Sequence, residues 1–326
     1  MWGFRRVLER TYGYRCVYRK ILLDGKCVGV FPSVAVARGS GRLVSQPFNE
    51  YGGPLTEGLS NAQHAELARL LLHLAEQENC LSVEIRGGIG CEPMAQTDSC
   101  RRHRLHSFAI LQLDEKEQLW RTSLTNEARK AIKQAQNAGL QVEILRGHHA
   151  IADPFFQLYL VSMKRLGVPP HPVEFLTSLA AELGERLVTA AVRHRNERVS
   201  YLLGAVTGKR LQIFITASEP SAWAWRPNDL AHWELINWAF AAGLQVFDLG
   251  SARYPGQTHF KKKWGATFHD YSYYLISAPN STATRAVQTA DPSSKLMTAA
   301  AAVWRWVVPL RLTPVLGPPI RRYLTK

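Results

Sequence analysis

Several features that would settle a function at once are missing from this chain. Cysteine is scarce: Cys16, Cys27, Cys80, Cys91 and Cys100 are odd in number, contain no C-x-x-C pair and all lie in the first third. This excludes a disulfide framework spread over the fold and points to reduced thiols in the cytosol. Cys91, Cys100, His103 and His106 have ligand chemistry, but their C-x8-C-x2-H-x2-H spacing fits none of the common zinc patterns, so no metal is expected. No uncharged apolar run reaches the ~18–20 residues that span a bilayer. The N-terminal MWGFRRVLERTYGYRCVYRK carries early charges and no apolar core of signal-peptide length. A cytoplasmic protein is therefore expected. No G-x-S-x-G elbow is present, which removes the usual hydrolase reading of scattered Ser, His and Asp residues. Acidic residues are also few: 26 Asp+Glu stand against 40 Lys+Arg, a net charge of +14. Such a surface attracts polyanions, whether nucleic acid, phosphorylated carriers or an anionic membrane, and charge alone does not choose among them.

What is present is ordinary globular material. The 326 residues are 46% hydrophobic and 20% charged, enough for two medium domains with separate cores. One block occurs twice. A helical run, AQHAELARLLLHLAEQEN, precedes the short strand LSVEIRG; later HWELINWAFAAG precedes LQVFDLG. Leu67, Leu70, Leu71 and Leu74 fall at i, i+3, i+4, i+7 and give one apolar face. Trp233, Ile236, Trp238 and Phe240 fall mostly on such a face, closed by Gly243. Upstream of each helix lies a hairpin-like pair, CVGVFPSVAVARGSGRLVSQPF and RVSYLLGAVTGKRLQIFITAS. Repeated hairpin, helix and strand predict an internal duplication and mixed α/β domains. Between the copies, LWRTSLTNEARKAIKQAQNAGLQVEILRG reads as a long basic helix ended by Gly139, then a strand. DPFFQLYLVSMKRLG reads as an amphipathic helix capped by Asp153. The expected domains are residues 1–147 and 148–278, followed by a linker and basic tail over 279–326.

Four strings then line up, in order, with one family. PFNEYGGPLTE (47–57), LWRTSLTNEARKAIKQAQNAGLQVEI (119–144), FFQLYLVSMKRLGVPPHP (155–172) and VFDLGS…GQTHFKKKWGA (246–266) resemble segments of the Fem-type aminoacyltransferases. The subgroup that this chain most resembles is the Fem-like proteins of exosortase/PEP-CTERM exopolysaccharide systems, also described as BioF2-like acetyltransferase domains. The likeness covers roughly residues 20–278, and the ordered set is specific although each string is weak. It implies an α/β (α+β) fold of two tandem GNAT-like domains, mixed sheets flanked by helices, with the active site in the second. Family members usually carry some thirty further residues at the start, so the first domain is expected to be short there. The Arg often found beside the family's Gly-Pro turn is Gly52 here.

The implied reaction is attack of an amine on an activated acyl ester or thioester. Negative charge develops on the former carbonyl oxygen, where a fixed cation is worth ~3–4 kcal/mol. The family's Phe-Lys pair falls on Phe260 and Lys261, making Lys261 the expected oxyanion-stabilising residue. Read as a strand, QTHFKKKWGATF would point Lys261 and Lys263 to one side and Phe260 and Lys262 to the other. The alternative is a solvated charge run on an edge strand. Arg165 matches the family's acceptor-phosphate Arg, or is a solvated helix end favoured by the macrodipole. Arg129, with Lys130 and Lys133, forms a basic face that either meets substrate or solvent. Asp248 closes the strand VFD and could orient or deprotonate the amine, or simply cap a turn. Tyr51 and Gly53 could line an acceptor groove, although a Gly-Gly-Pro turn needs no function to account for it.

No cofactor is expected beyond a donor co-substrate, aminoacyl-tRNA or acyl-CoA. Where CoA-dependent GNAT enzymes carry a glycine-rich pyrophosphate loop, this chain reads WRPNDLAHWEL (225–235) without glycine. That favours aminoacyl-tRNA, and tRNA as a partner. The resemblance makes the acceptor a phosphorylated or saccharide-linked envelope precursor. The rivals are a CoA-dependent N-acetyltransferase and a non-catalytic polyanion- or membrane-binding scaffold. After Asp291 the tail has Lys295, Arg305, Arg311, Arg321, Arg322 and Lys326 and no acidic residue. Trp304, Trp306, Leu310 and Leu312 interleave with them, which suits either peripheral contact with the inner membrane or docking on the second domain.

Overall fold

The structure is a computed structural model that describes residues 2–36, 41–87, 91–278 and 295–324. They divide into two compact units. Unit one comprises Met1–His106, Asp270–Ala301 and Pro319–Lys326; unit two comprises Ser107–His269 and Ala302–Pro318. In chain order, helix α1 (Trp2–Tyr12) leads into strands β1 (Arg15–Leu23), β2 (Lys26–Val36), β3 (Arg42–Ser45) and β4 (Leu55–Thr56). Helix α2 (Asn61–Gln77), β5 (Ser82–Arg86) and β6 (Cys100–Gln112) follow. Next come α3 (Asn126–Asn137), β7 (Leu140–Arg146), α4 (Phe155–Leu166), α5 (Val173–Leu183), β8 (Leu187–His194), β9 (Glu197–Thr207) and β10 (Arg210–Ser218). Then α6 (Pro227–Ala241), β11 (Val246–Ala252), α7 (Pro255–Lys262), β12 (Thr267–Ser277), α8 (Lys295–Trp306) and α9 (Thr313–Leu324) complete the described chain.

In unit one the strands run β1-β2-β3-β5-β12-β6, with β4 beside β2. β3 and β5 are parallel, while β5 and β12 are antiparallel from Tyr273↔Arg86 to Ser277↔Ser82. Helix α2 starts with a reciprocal cap: Ser60 Oγ accepts from Gln63 N at 3.3 Å, and Gln63 Oε1 accepts from Ser60 N at 2.8 Å. Its Leu67, Ala68, Leu71 and Ala75 pack with Phe31, Leu43, Val83, Ile85, Met94 and Tyr274. In unit two the order is β6-β11-β10-β9-β8-β7. Its core joins the small face of α3 (Ala128, Ile132, Ala135) to Leu230, Leu235 and Ile236 of α6 and to Val188, Leu202 and Phe247 of the sheet.

The structure corrects three expectations. The boundary near residue 147 lies inside unit two, because β7 pairs with β8 from Leu140↔His194 to Arg146↔Val188 and α3 is part of that core. The chain instead leaves unit one within β6 and returns within β12. The long basic helix is interrupted: Leu124 and Thr125 are extended, and Thr125 Oγ1 accepts from Ala128 N at 3.3 Å to begin α3 afresh. Asp153 does not cap α4; Pro154 occupies that position without a side-chain hydrogen bond. Both strands flanking Gly208 form as read, and Gly243 (φ 67°) stops α6. The linker proposed for 279–294 lies outside the described residues.

Candidate active site

Strands β10 and β11 of unit two are parallel only from Arg210↔Val246 to Gln212↔Asp248, where the ladder stops. At the same level the pairing of β11 with β6 shifts register between Asp248 and Gly250. Ligands in open α/β sheets bind at such carboxyl ends. Asp248 is fully buried and holds this irregularity. Its Oδ2 accepts from Arg210 Nη2 at 2.7 Å and Nε at 3.1 Å, and its Oδ1 accepts from Gly250 N at 2.8 Å. Gly250 sits at φ 73°, where an added Cβ would also lie 3.1 Å from the Ile213 carbonyl oxygen. Asp248 is therefore in mid-strand, not at a strand end, and its carboxylate is committed to a guanidinium and a bulge.

The KKK segment is not a strand. Pro255 occupies the first turn of α7, and Arg253 N donates to Gln257 Oε1 at 2.9 Å, ordering the entry. Lys261 ends up only 9% exposed, its Nζ donating to Ser251 O of β11 at 2.5 Å. Lys263, just past the helix, is 5% exposed and forms a buried ion pair with Asp229 in the first turn of α6. Its ammonium lies 4.2 Å from the Phe260 ring centroid, a cation–π contact. Only Lys262 faces solvent, which excludes a solvated run.

One turn beyond Asp229, His232 is buried between the two helices' side chains. Its Nδ1 lies 2.6 Å from Asn228 O, which can only accept, so the neutral ring donates from Nδ1. The ring is edge-on to Phe260 at 4.9 Å and stacked on Trp264 at 5.6 Å. Burial pushes its pKa down to about 3; the Lys263 and Lys261 charges act in the same direction, against the Asn228 hydrogen bond. Asp229 and His232 are not singled out by any sequence motif, although their i, i+3 spacing at the start of an apolar helix is visible in the chain. Among the described residues no group of three His, Cys, Asp or Glu could hold a metal. Beside this cluster, a cavity of about 470 Å³ opens at the start of α7, lined by Arg253, Tyr254, Pro255, Thr258, His259 and Lys262. It has three basic side chains and no acidic one.

Arg129 and Arg165, also in unit two, make contacts of their own. Arg129 is engaged with the backbone before its helix: its Nη1 donates to the carbonyls of Trp120 (2.8 Å), Arg121 (3.2 Å) and Leu124 (2.7 Å), and Nη2 to Asn126 Oδ1 (2.6 Å). It closes the turn before α3. Arg165 is at the exposed end of α4, its guanidinium 4.9 Å from the Trp223 ring centroid, with burial and the Arg305 charge lowering its pKa. Tyr51 and Gly53 belong to unit one. A Cβ on Gly53 would lie 3.0 Å from Cys91 Sγ, and one on Gly52 would lie 2.4 Å from Gln46 Cβ. The turn is packed against β5, and position 52 has no room for the arginine common in the family.

Residues 122–262 match the family model of the acetyltransferase (GNAT) domain, a span that includes His232, Asp248 and Lys261. The fold is shared with solved structures at low identity. The crystal structure of FemX is 13% identical, with 83% of this chain and 90% of that chain covered and a TM-score of 0.65. A C-terminal domain assigned to a lysylphosphatidylglycerol synthetase from Agrobacterium fabrum is 13% identical, covering 89% and 91%, with a TM-score of 0.60. A tandem GNAT protein from the clavulanic acid biosynthesis pathway is 11% identical, covering 86% and 88%, with a TM-score of 0.53. No curated protein matches the chain. Residues 122–262 thus carry the sequence pattern of a GNAT acetyltransferase domain, on a fold that the chain shares with FemX and with a tandem GNAT protein.

Proposed function

We propose that the protein transfers an aminoacyl or acyl group to an amine of a cell-envelope precursor, peptidoglycan or exopolysaccharide. The supporting observation is the buried Lys261 ammonium, fixed against Ser251 O where β10 and β11 stop pairing. The acceptor nitrogen forms a bond to the carbonyl carbon, the C–O or C–S bond to the donor breaks, and the amine proton leaves with solvent or the departing group. A preorganised ammonium stabilises the intermediate oxyanion and needs no reorganisation when charge develops. Lys263 and Asp229 fix the neighbouring helix start, and His232 packs Phe260 in place. The basic cavity at Arg253, His259 and Lys262 suits a phosphorylated or nucleic-acid substrate.

The start of α6 favours aminoacyl-tRNA as donor. It has no glycine, begins with Arg226 at φ 61° and Pro227, and carries the buried Asp229 carboxylate where a pyrophosphate would need bare N–H groups. The acetyltransferase description of the matched domain favours the second reading, a CoA-dependent N-acetyltransferase. Calorimetric titration with acetyl-CoA and with charged tRNA separates the two. With the donor so identified, Lys261→Ala is expected to lower kcat ~100-fold or more, with native circular dichroism, and Lys261→Arg to retain part of the rate. Full activity in a folded Lys261→Ala protein would refute the assignment. Equal tolerance of every KKK substitution would leave a non-catalytic scaffold.

A further inference from the structure

We propose that residues 303–316 of the C-terminal tail form a docking surface for an anionic phospholipid bilayer. This stretch is clamped to unit two from one side. Trp304 is buried, Lys164 Nζ donates to Arg305 O at 2.5 Å, and Arg305 Nη2 donates to Leu166 O at 3.4 Å. Thr313 is fully buried with its Oγ1 donating to Leu310 O at 2.7 Å. Gly317 lies so close to Pro170 that a Cβ would sit 2.4 Å from its Cδ. A helix packed on a protein through its apolar side ordinarily turns polar residues to water. Here the outer surface is apolar as well: Val303 and Trp306 of α8 and Val307 just past its end, bonded back to Val303 O, are exposed, and exposed Leu312, Val315 and Leu316 follow. Trp306 is 78% exposed. The two tryptophans, read together from sequence as candidates for docking, are thus divided, one facing the protein and one facing outward.

Charge selects the occupant. After Asp291 the chain has six basic residues and no acidic one, and Arg305 and Arg311 lie within the apolar stretch itself. A second protein surface of mixed charge gains little from these cations, whereas anionic headgroups above an acyl layer match both components. Among the described residues no helix is long and apolar enough to cross a membrane, so the contact is interfacial. The tail's contact with lipid is independent of which group the enzyme transfers.

The test uses the full-length protein and sedimentation with vesicles of phosphatidylglycerol–phosphatidylethanolamine or of phosphatidylcholine alone. Binding is expected to the anionic vesicles, and to weaken as salt is raised. The pair Trp306→Ser, Val307→Ser should weaken it at least tenfold, and Arg311→Gln about fivefold, the equivalent of ~1 kcal/mol. Melting temperatures of both variants should stay within a few degrees of wild type, because the replaced side chains are exposed. No binding of the wild type to anionic vesicles, or unchanged binding of the Trp306→Ser, Val307→Ser protein, overturns the proposal. So does a wild-type dimer that this variant converts to a monomer without bilayer binding, which would assign the face to a second copy of the chain.

Discussion

His232 shows how a single buried ring makes the fold sensitive to acid. Its pKa is about 3 in the folded protein against an ordinary 6.5, so the unfolded chain binds more protons between these values. Stability must then fall as pH drops below about 6.5, by up to ~1.4 kcal/mol per unit, until the folded ring itself protonates near pH 3. Urea denaturation of wild type and His232→Gln across that range should show a smaller slope in the variant. Identical slopes would mean that another group carries the acid response. At this scale the candidate site was legible only in part. Lys261 was found through its place in a motif, while Asp229 and His232 gain meaning from neighbours that the sequence keeps thirty or so positions away.

At the scale of elements, the Lys263–Asp229 ion pair connects the residue after α7 to the first turn of α6. Both partners are buried, so removing one strands the other's charge. Lys263→Met should destabilise the protein by ~3–5 kcal/mol. The double change Lys263→Met, Asp229→Leu should regain most of that loss, as read by thermal or denaturant unfolding; a double variant no better than the single would show that the pair is not the coupled unit. The same segment shows where sequence reading fails. Aromatic residues around KKK imitate a strand, yet Pro255 at the start and Gly265 at φ 76° mark a short helix. An alternating pattern still separated Lys262 from Lys261 and Lys263 correctly, because one solvent-facing position between two buried ones looks alike in either element. Helix α2 was legible from its local period, while α6 and strands β5, β9, β10 and β11 were legible as apolar runs bounded by turn residues. The turn bonded by Arg129 was not, because three backbone carbonyls leave no mark in a sequence.

At the scale of the molecule, unit one is discontinuous in the chain. Strand β12, residues 267–277, pairs with β5 although Tyr273 and Arg86 are far apart in sequence. No composition shift announces such a return, which is why a boundary near 147 looked natural. A protein ending at residue 147 should therefore fail to fold cooperatively, lacking the strand beside β5 and the Tyr274 and Ile276 side chains of its core. A sharp cooperative unfolding transition in that fragment would contradict the pairing. The same arrangement bears on the order of synthesis. The segments of unit one that precede residue 107 leave the ribosome first, but their partner strand follows only after all of Ser107–His269 has been made. At ordinary elongation rates this is a delay of roughly ten to thirty seconds. Throughout it, the β5 edge that β12 will cover offers unpaired N–H and C=O groups to any passing strand. Unit two has most of its chain in one stretch and can form during that interval, so the half carrying Lys261 is the first able to mature, and the half made first is the last to close.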